Sequence, residues 1–230
     1  MIPLFIIYMI RQYRLIGNRK KFFLWICFNI RSNTNRVFAT VVFLFLVSVT
    51  LRAQNRQASY SIIRNGNVAG QLKFQQVIKG DSVCLKTESE VKASFLFSFT
   101  VFAREEAIYK NGILLYSSIY RKTNGSEKAN KQTRLRGYEY YITSKEKTEV
   151  LRNYPISNNM LNLYCCEPKL INKVYSDNFQ QYVPVEKISA CKYKVTLPDG
   201  NYNYYYYKDG ECVVVDVHGS MYTAMLVLNK

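Results

Sequence analysis

The sequence contains a single histidine, His218, among 230 residues. One imidazole cannot build a multi-histidine metal centre, and a catalytic triad would also need a nucleophile and an orienting acid. The G-x-S-x-G, H-E-x-x-H, phosphate-loop and dinucleotide-binding motifs are absent from the sequence as well. We therefore expect no catalytic residues, no metal and no cofactor, and the sequence favours a non-enzymatic role without deciding the question.

Acidic side chains offer little catalytic support. Asp216 lies two residues before His218, which on a strand places both on the same face. We interpret them as a polar pair beside a turn, with an unrecognised catalytic dyad as the alternative. Glu105 and Glu106 are adjacent, so on a strand they point to opposite faces and cannot act on one bond.

Cysteine is sparse and never occurs as C-x-x-C, so neither a redox motif nor a zinc site is supported. A bridge between the adjacent Cys165 and Cys166 would be strained, whereas Cys191 and Cys212 lie on strands that could be neighbours. Because five cysteines follow the N-terminal segment, at least one thiol has no intramolecular partner. The pairing stays open among the five cysteines that follow the N-terminal segment: Cys84, Cys165, Cys166, Cys191 and Cys212.

No apolar run is long enough to span a bilayer, which takes about 20 residues. The run Val37–Leu51 has 15 residues, follows Arg36 and is followed by Ala53. A basic flank, an apolar core and a small residue before the cut are typical of a secretory signal peptide, although Leu51 is a poor residue at the −3 position. We predict cleavage before Gln54 and a periplasmic or secreted location.

The 35 residues upstream of this signal contain two short apolar runs, Ile2–Ile10 and Phe22–Ile30, and no acidic residue. One interpretation is a long leader or hydrophobic hairpin, and the other is upstream sequence translated from a misplaced start codon. Either way, we assign residues 1–53 to a leader and 54–230 to a single domain.

Acidic residues are outnumbered, since the chain has 32 basic and 16 acidic residues. Residues 1–53 contain eight of the basic residues and none of the acidic ones, which leaves 24 against 16 in the domain. The densest basic cluster, Lys122–Arg136, is polar and contains Gly, Asn and Ser. We interpret it as a solvated loop, with an anionic lipid or glycan contact as the alternative, and we expect no nucleic-acid partner.

Apolar residues recur with the period of strands. Asn65-Gly66 separates two alternating segments and is a strong hairpin signal, and Asn111-Gly112 and Asp209-Gly210 are turns of the same kind. In Val91–Ala103, which we predict as one strand, the alternate residues Phe95, Phe97 and Phe99 face one side.

One short segment resembles a helix. Ile156–Cys166 is opened by Pro155 and ended by Glu167-Pro168, with Ser157 and two asparagines as candidate N-caps. The fold class predicted is all-β and mainly antiparallel. We expect a curled meander or half-barrel of about ten to twelve strands with one short helix.

Tyrosine is abundant, with 18 of its 20 residues after position 53. Tyr204–Tyr207 are consecutive, so a strand places two rings on each face. They are either strand residues chosen for packing or an aromatic wall that receives a lipid tail or a sugar face. The candidate ligand-binding residues are Phe95, Phe97, Phe99, Tyr204 and Tyr206.

Three segments suggest a family: Glu105–Gly125, Tyr154–Leu161 and Tyr204–Val217. Together with the opening segment Tyr60–Phe74, they resemble a set of uncharacterised exported bacterial β proteins grouped as a domain of unknown function. The resemblance covers nearly all of 58–228. It implies a periplasmic antiparallel sheet that curls, loosely similar to the half-barrels of lipoprotein carriers, and it brings no catalytic residues.

The sequence leaves two function hypotheses and a third, weaker one. The first is an exported binding or carrier module for an apolar or amphipathic ligand such as a lipid, supported by the aromatic residues. The second is an enzyme of unrecognised type using His218 and Asp216. The third is an envelope assembly protein that pairs with a partner through a strand edge. The oligomeric state is left open.

Overall fold

The structure is a computed structural model that describes residues 55–94, 98–145, 147–151, 155–220 and 222–229. Within them it contains fourteen strands in one sheet and one short helix, α1 (Asn162–Cys165). The strands are β1 (Arg56–Arg64), β2 (Asn67–Lys79), β3 (Ser82–Ser94), β4 (Ser98–Lys110), β5 (Ile113–Thr123), β6 (Ser126–Arg136), β7 (Glu139–Ser144), β8 (Lys147–Leu151), β9 (Lys173–Ser176), β10 (Gln181–Ser189), β11 (Lys192–Thr196), β12 (Tyr202–Lys208), β13 (Glu211–His218) and β14 (Thr223–Leu228).

The sheet runs in the order β8-β7-β6-β5-β4-β3-β2-β1-β14-β13-β12-β11-β10-β9, and every strand pair is antiparallel. The first strand therefore lies in the middle, joined to the last strand. The all-β antiparallel prediction with one short helix is confirmed, with fourteen strands rather than ten to twelve. Within the described residues, the structure contains no helix of the length and hydropathy needed for a membrane span.

Tight turns connect most neighbouring strands. Asn65, Asn111, Asn124 and Asp209 all have positive φ and precede a glycine that also has positive φ. Asparagine, aspartate and glycine tolerate this region, which makes such pairs suitable for two-residue hairpins. The turns predicted at Asn65-Gly66, Asn111-Gly112 and Asp209-Gly210 are confirmed.

Asn124-Gly125 makes the same kind of turn, and it corrects the prediction of a solvated loop over Lys122–Arg136. This stretch forms the β5–β6 hairpin instead. Ala129 and Thr133 point inward and are buried, while most of the residues between them face solvent. The outward face of this strand is polar, and its few inward residues are small or carry a hydroxyl. The sequence of such a half-buried strand therefore resembles that of a loop.

The single strand predicted over Val91–Ala103 is also wrong. β3 ends at Ser94 and β4 begins at Ser98, and the two strands pair antiparallel through Ala93 and Phe99. Because both strands carry alternating apolar residues, the pattern continues through the reversal of the chain. Phe95 and Phe97 lie outside the described residues.

The predicted helix over Ile156–Cys166 is wrong in its extent, since only Asn162–Cys165 are helical. The backbone before it pairs with β9: the Tyr175 amide donates to the Asn158 carbonyl (2.9 Å), and the Met160 amide donates to the Tyr175 carbonyl (3.0 Å). Leu161 occupies the N-cap position without a capping side chain. Pairing with a distant strand, which sequence periodicity does not show, therefore overrides helix formation.

The sheet curls, because β9 and the turn after it contact the inner face of β5 and β6, which are ten and eleven positions away in the sheet order. The Asp177 carboxylate accepts a hydrogen bond from Ser117 on β5, and the Tyr175 hydroxyl lies 2.9 Å from the Thr133 hydroxyl on β6. The long connection from β8 to β9 crosses this inner face. A curled sheet with a crossing connection encloses a core without closing every strand edge.

The crossing connection fills one end of the curl. Leu161 and Leu163 are fully buried, and the Tyr164 ring packs on the rings of Tyr60 (5.5 Å between centroids), Phe74 (5.8 Å) and Tyr205 (6.4 Å). Aromatic pairs at these separations stabilise a core beyond their buried area. This end of the sheet is therefore a packed hydrophobic core.

Most of the buried tyrosines also connect distant segments of the chain through hydrogen bonds of their hydroxyls. Tyr60 donates to the Cys212 carbonyl (2.8 Å) and Tyr207 to the Leu163 carbonyl (2.7 Å). Tyr140 donates to the Leu114 carbonyl (2.9 Å). A buried phenol needs such a partner, so these tyrosines combine core packing with tethering of distant strands.

Candidate functional site

A groove of about 590 Å³ lies on the inner face of the sheet, at the end opposite α1. This volume is within the roughly 300–1,000 Å³ of small-molecule sites. The wall is mainly apolar, and its larger side chains are Ile62, Leu72, Phe99, Val101, Val217 and Leu226. The groove is therefore a concave surface with a mainly apolar wall.

The register of the sheet explains why these side chains converge. Ile62 of β1 is opposite Leu226 of β14, and Val91 of β3 is opposite Val101 of β4. Residues opposite each other in an antiparallel pair project to the same face. Because neighbouring strands are antiparallel, the groove is lined by residues near the C-terminal ends of β1, β3, β5 and β13 and near the N-terminal ends of β2, β4 and β14.

Small residues keep the groove open. Ala69, Ala103 and Ala224 line it in place of larger apolar residues. Gly70 lies on the same part of β2 and approaches β3 so closely that a Cβ atom would be 2.1 Å from the Glu90 carbonyl oxygen. A larger residue at Gly70 would separate these strands, so the wall depends on small side chains.

Basic side chains also line the groove. Arg64 ends β1, Arg121 lies on the inner face of β5, and Lys128 is exposed on β6. The Arg64 guanidinium lies over the Phe99 ring, 5.5 Å from its centroid. Within the described residues, none of the groove-lining side chains is acidic. The groove thus combines an apolar wall with positive charge.

Glu105 is the next inward residue of β4 after Ala103, towards α1, and it is opposite Ile119 of β5. The pKa of Glu105 is raised to about 7, mainly by burial and also by the nearby Asp177 carboxylate, while the Arg121 guanidinium opposes the shift. A carboxyl group with this pKa changes charge near neutral pH.

Asp177 is the second inward acid and is 5% exposed. It accepts hydrogen bonds from the Ser117 hydroxyl and from the Asn159 amide nitrogen (2.9 Å). Burial raises its pKa to about 6, although both hydrogen bonds favour the charged form. Two acids in a shared interior disfavour each other's ionisation. Asp177 has a clear structural role because it joins β5 to the crossing connection.

The sequence-predicted ligand residues do not share one surface. Phe99 lines the groove, whereas Tyr204 and Tyr206 alternate with the buried Tyr205 and Tyr207 and so face the outer side of β12. The Lys192 ammonium lies 4.3 Å from the Tyr204 ring centroid and 5.0 Å from that of Tyr206. Phe95 and Phe97 lie outside the described residues.

His218 and Asp216 also lie on the outer face, because Val217 between them lines the groove. His218 Nε2 is 2.9 Å from an Asp216 carboxylate oxygen, which confirms that the two share a face. The imidazole stacks on the Tyr202 ring, with 4.7 Å between centroids and 15° between planes. The pair is a partly exposed ion pair or hydrogen bond with an aromatic neighbour.

The five cysteines of the described chain are all unbridged. Cys191 is exposed in the turn between β10 and β11 rather than on a strand, whereas Cys212 is buried on β13, and the two are not bridged. The Sγ atoms of Cys165 and Cys166 are 3.7 Å apart. In the described part of the chain, no cluster of three or more His, Cys, Asp or Glu side chains is placed to hold a metal ion.

Sequence reasoning missed the charged residues of the inner face. Arg121 directly precedes the stretch interpreted as a loop, and the sequence places Glu105 only on the face opposite Glu106. A signal for Glu105 exists, because it alternates with Ala103 and Ala107 on an otherwise apolar side of β4. A charged residue within such an alternation indicates an inward ionisable group.

Comparisons with known proteins find a family match and a similar solved structure. The family described as a domain of unknown function (DUF6134) matches residues 60–229. No curated protein matches the chain. Among solved structures, the crystal structure of a β-barrel-like protein of the domain of unknown function DUF1849 from Brucella abortus is similar. It aligns with a TM-score of 0.48 and 10% identity, over 77% of this chain and 96% of that chain. The predicted resemblance to a β-rich domain of unknown function is confirmed.

Proposed function

Since the chain belongs to the DUF6134 family, a domain of unknown function, we infer its role from the inner groove. We propose that the protein is a non-enzymatic binding or carrier module for an apolar or amphipathic ligand. The observation that carries this proposal is the groove of about 590 Å³ with a mainly apolar wall. Apolar side chains left facing a concavity lose the stabilisation that burial gives, roughly 25 cal/mol per Å². A ligand that covers them restores it.

The arrangement of core and groove supports the same role. The end of the curl near α1 is filled by Tyr164 and its aromatic neighbours, whereas the other end, where three alanines are among the lining residues, remains open. A fold that only needed stability would fill both ends. The open end therefore supports a ligand site.

Export is a separate part of the proposal. The signal-like segment Val37–Leu51 supports a periplasmic or secreted protein that begins at or near Gln54. N-terminal sequencing of the protein from producing cells tests this part. An intact N-terminus embedded in the membrane would contradict it.

Two alternatives each have one observation in their favour. The contact of 2.9 Å between His218 and Asp216 favours an unrecognised enzyme. Strand β8, an edge of the described sheet with four exposed residues out of five, favours pairing with an envelope protein. Both features are on the outside of the sheet or at its edge, so variants in the groove leave them intact.

The test fills the groove by mutation. Ala224→Trp places an indole in the groove, and the matched control Ala190→Trp places one in an exposed turn. We expect the neutral fluorophore N-phenyl-1-naphthylamine to bind the unaltered protein and the control but not Ala224→Trp, with all three folded by circular dichroism. Equal binding by Ala224→Trp, or no binding by the unaltered protein, would contradict the proposal.

A further inference from the structure

The charged residues of the groove are all of one sign within the described chain. Arg64, Arg121 and Lys128 line it together with apolar residues, and no acidic residue does so. Clefts with charge of one sign and low-dielectric walls concentrate ligands of the opposite charge. An apolar wall with a basic group at its side is complementary to a molecule that has an apolar chain and an anionic head.

Arg121 is the basic residue best placed to meet such a head. Its neighbours in the register are Ala103 on β4 and Ala129 on β6, and both are too small to cover a guanidinium. Arg121 is partly buried, while Lys128 is exposed nearer the mouth. A planar guanidinium binds a carboxylate through two parallel hydrogen bonds, and it does so more strongly when water is partly excluded.

The three basic groups are not neutralised by ion pairs within the described residues. Arg64 is engaged with the face of the Phe99 ring rather than with an acid, and the ion pairs of the structure involve other residues. The Arg121 guanidinium lowers the pKa of the nearby Glu105 carboxyl, although burial outweighs this effect. Burial keeps part of the Glu105 carboxyl protonated near neutral pH, which leaves positive charge at Arg121 for a ligand.

We propose that the groove selects amphiphiles with an anionic head, specifically long-chain carboxylates, with the head at Arg121 and Lys128 and the chain along Val101 and Leu226. This inference rests on the proposed ligand-binding function and adds the class of ligand. The head is held by charge-assisted hydrogen bonds, and the chain is held by burial of apolar surface. Selection among amphiphiles therefore depends on the charge of the head.

The experiment compares heads on one chain length. Dodecanoate, dodecanol, dodecylammonium and dodecyl phosphate compete, below their micelle concentrations, with N-phenyl-1-naphthylamine bound to the protein. We expect dodecanoate to displace the fluorophore at about tenfold lower concentration than dodecanol, the scale of one charge-assisted hydrogen bond. Dodecylammonium is expected to be the weakest competitor.

Variants locate the selectivity. We expect Arg121→Gln to reduce the preference for dodecanoate about tenfold while keeping the affinity for dodecanol. The exposed Lys128→Gln provides a second variant that does not depend on an inward side chain. The control Lys187→Gln removes an exposed lysine on β10, away from the groove, and is expected to keep the full preference.

Each alternative outcome has a distinct meaning. If the unaltered protein binds dodecanol and dodecylammonium as tightly as dodecanoate, the charge inference is wrong and the groove proposal stands. If dodecyl phosphate alone competes, the carboxylate assignment is wrong. Unchanged preference in both Arg121→Gln and Lys128→Gln overturns the location of the head. If the fluorophore itself does not bind, the proposed function is wrong as well.

Discussion

Substituting Glu105 by glutamine should stabilise the fold at alkaline pH and leave it almost unchanged at acidic pH. The pKa of Glu105 is raised from 4.5 to about 7, mainly by burial, so the folded state binds the proton more tightly than the unfolded state. Stability therefore falls as the pH rises from about 4.5 to about 7 and does not recover above that window. Glutamine resembles the protonated acid and removes this loss.

The expected magnitude follows from the same pKa values. Each pKa unit corresponds to about 1.36 kcal/mol, so the ionised Glu105 destabilises the folded state by up to roughly 3 kcal/mol. Urea unfolding at pH 5 and pH 8 measures the difference. We expect Glu105→Gln to be more stable than the unaltered protein by about 2–3 kcal/mol at pH 8 and by less than about 1 kcal/mol at pH 5.

Glu106→Gln is the matched control, because Glu106 is the adjacent residue on the outer face of β4. Its change in stability should stay within about 0.5 kcal/mol at both pH values, as for most surface substitutions. The reasoning is refuted if Glu105→Gln is less stable than the unaltered protein at pH 8. It is also refuted if the gain is the same at pH 5 and pH 8, since the effect would then not come from ionisation.

Three further predictions concern other parts of the described chain. His218→Ala should leave groove binding unchanged and alter stability by about 0.5 kcal/mol, because the imidazole lies on the outer face; a hundredfold loss of binding or activity in the folded variant would favour the enzyme alternative. Tyr60→Phe should cost about 1–3 kcal/mol in urea unfolding, because the buried Cys212 carbonyl loses its hydroxyl donor; an unchanged midpoint would contradict this. Iodoacetamide should modify Cys166 before Cys191 at neutral pH, because a hydrogen bond from the adjacent thiol lowers the Cys166 pKa. Mass spectrometry of the labelled peptides measures the order, and preferential labelling of Cys191 would contradict this prediction.

The fold class could be predicted because local signals repeat along the chain. Positive-φ pairs such as Asn65-Gly66 and Asp209-Gly210 mark the hairpins, and the alternation in Tyr204–Tyr207 assigns two rings to each face. These features depend on residues close together in sequence. An antiparallel meander is built almost entirely from such local connections, which is why it can be recognised without a structure.

The errors arise where the local residue pattern does not decide the conformation. The backbone at Asn158 pairs with Tyr175 instead of forming a helix, and the reversal between Ser94 and Ser98 is concealed by continuous alternation. The candidate site also contains residues that the sequence predicts and residues that it does not. Phe99 was predicted from its spacing, whereas Arg121 and Glu105 become neighbours only through the register between β4 and β5.

The central claim, that the inner groove holds the ligand, is tested most directly by photolabelling. An alkyl carboxylate with a diazirine near the middle of its chain is crosslinked to the protein, and the labelled peptides are identified by mass spectrometry. We expect saturable labelling on the strands that carry Val101 and Leu226, abolished by excess dodecanoate and by Ala224→Trp. Saturable labelling of the outer face at Tyr204 and Tyr206, with the groove strands unlabelled, would contradict the account.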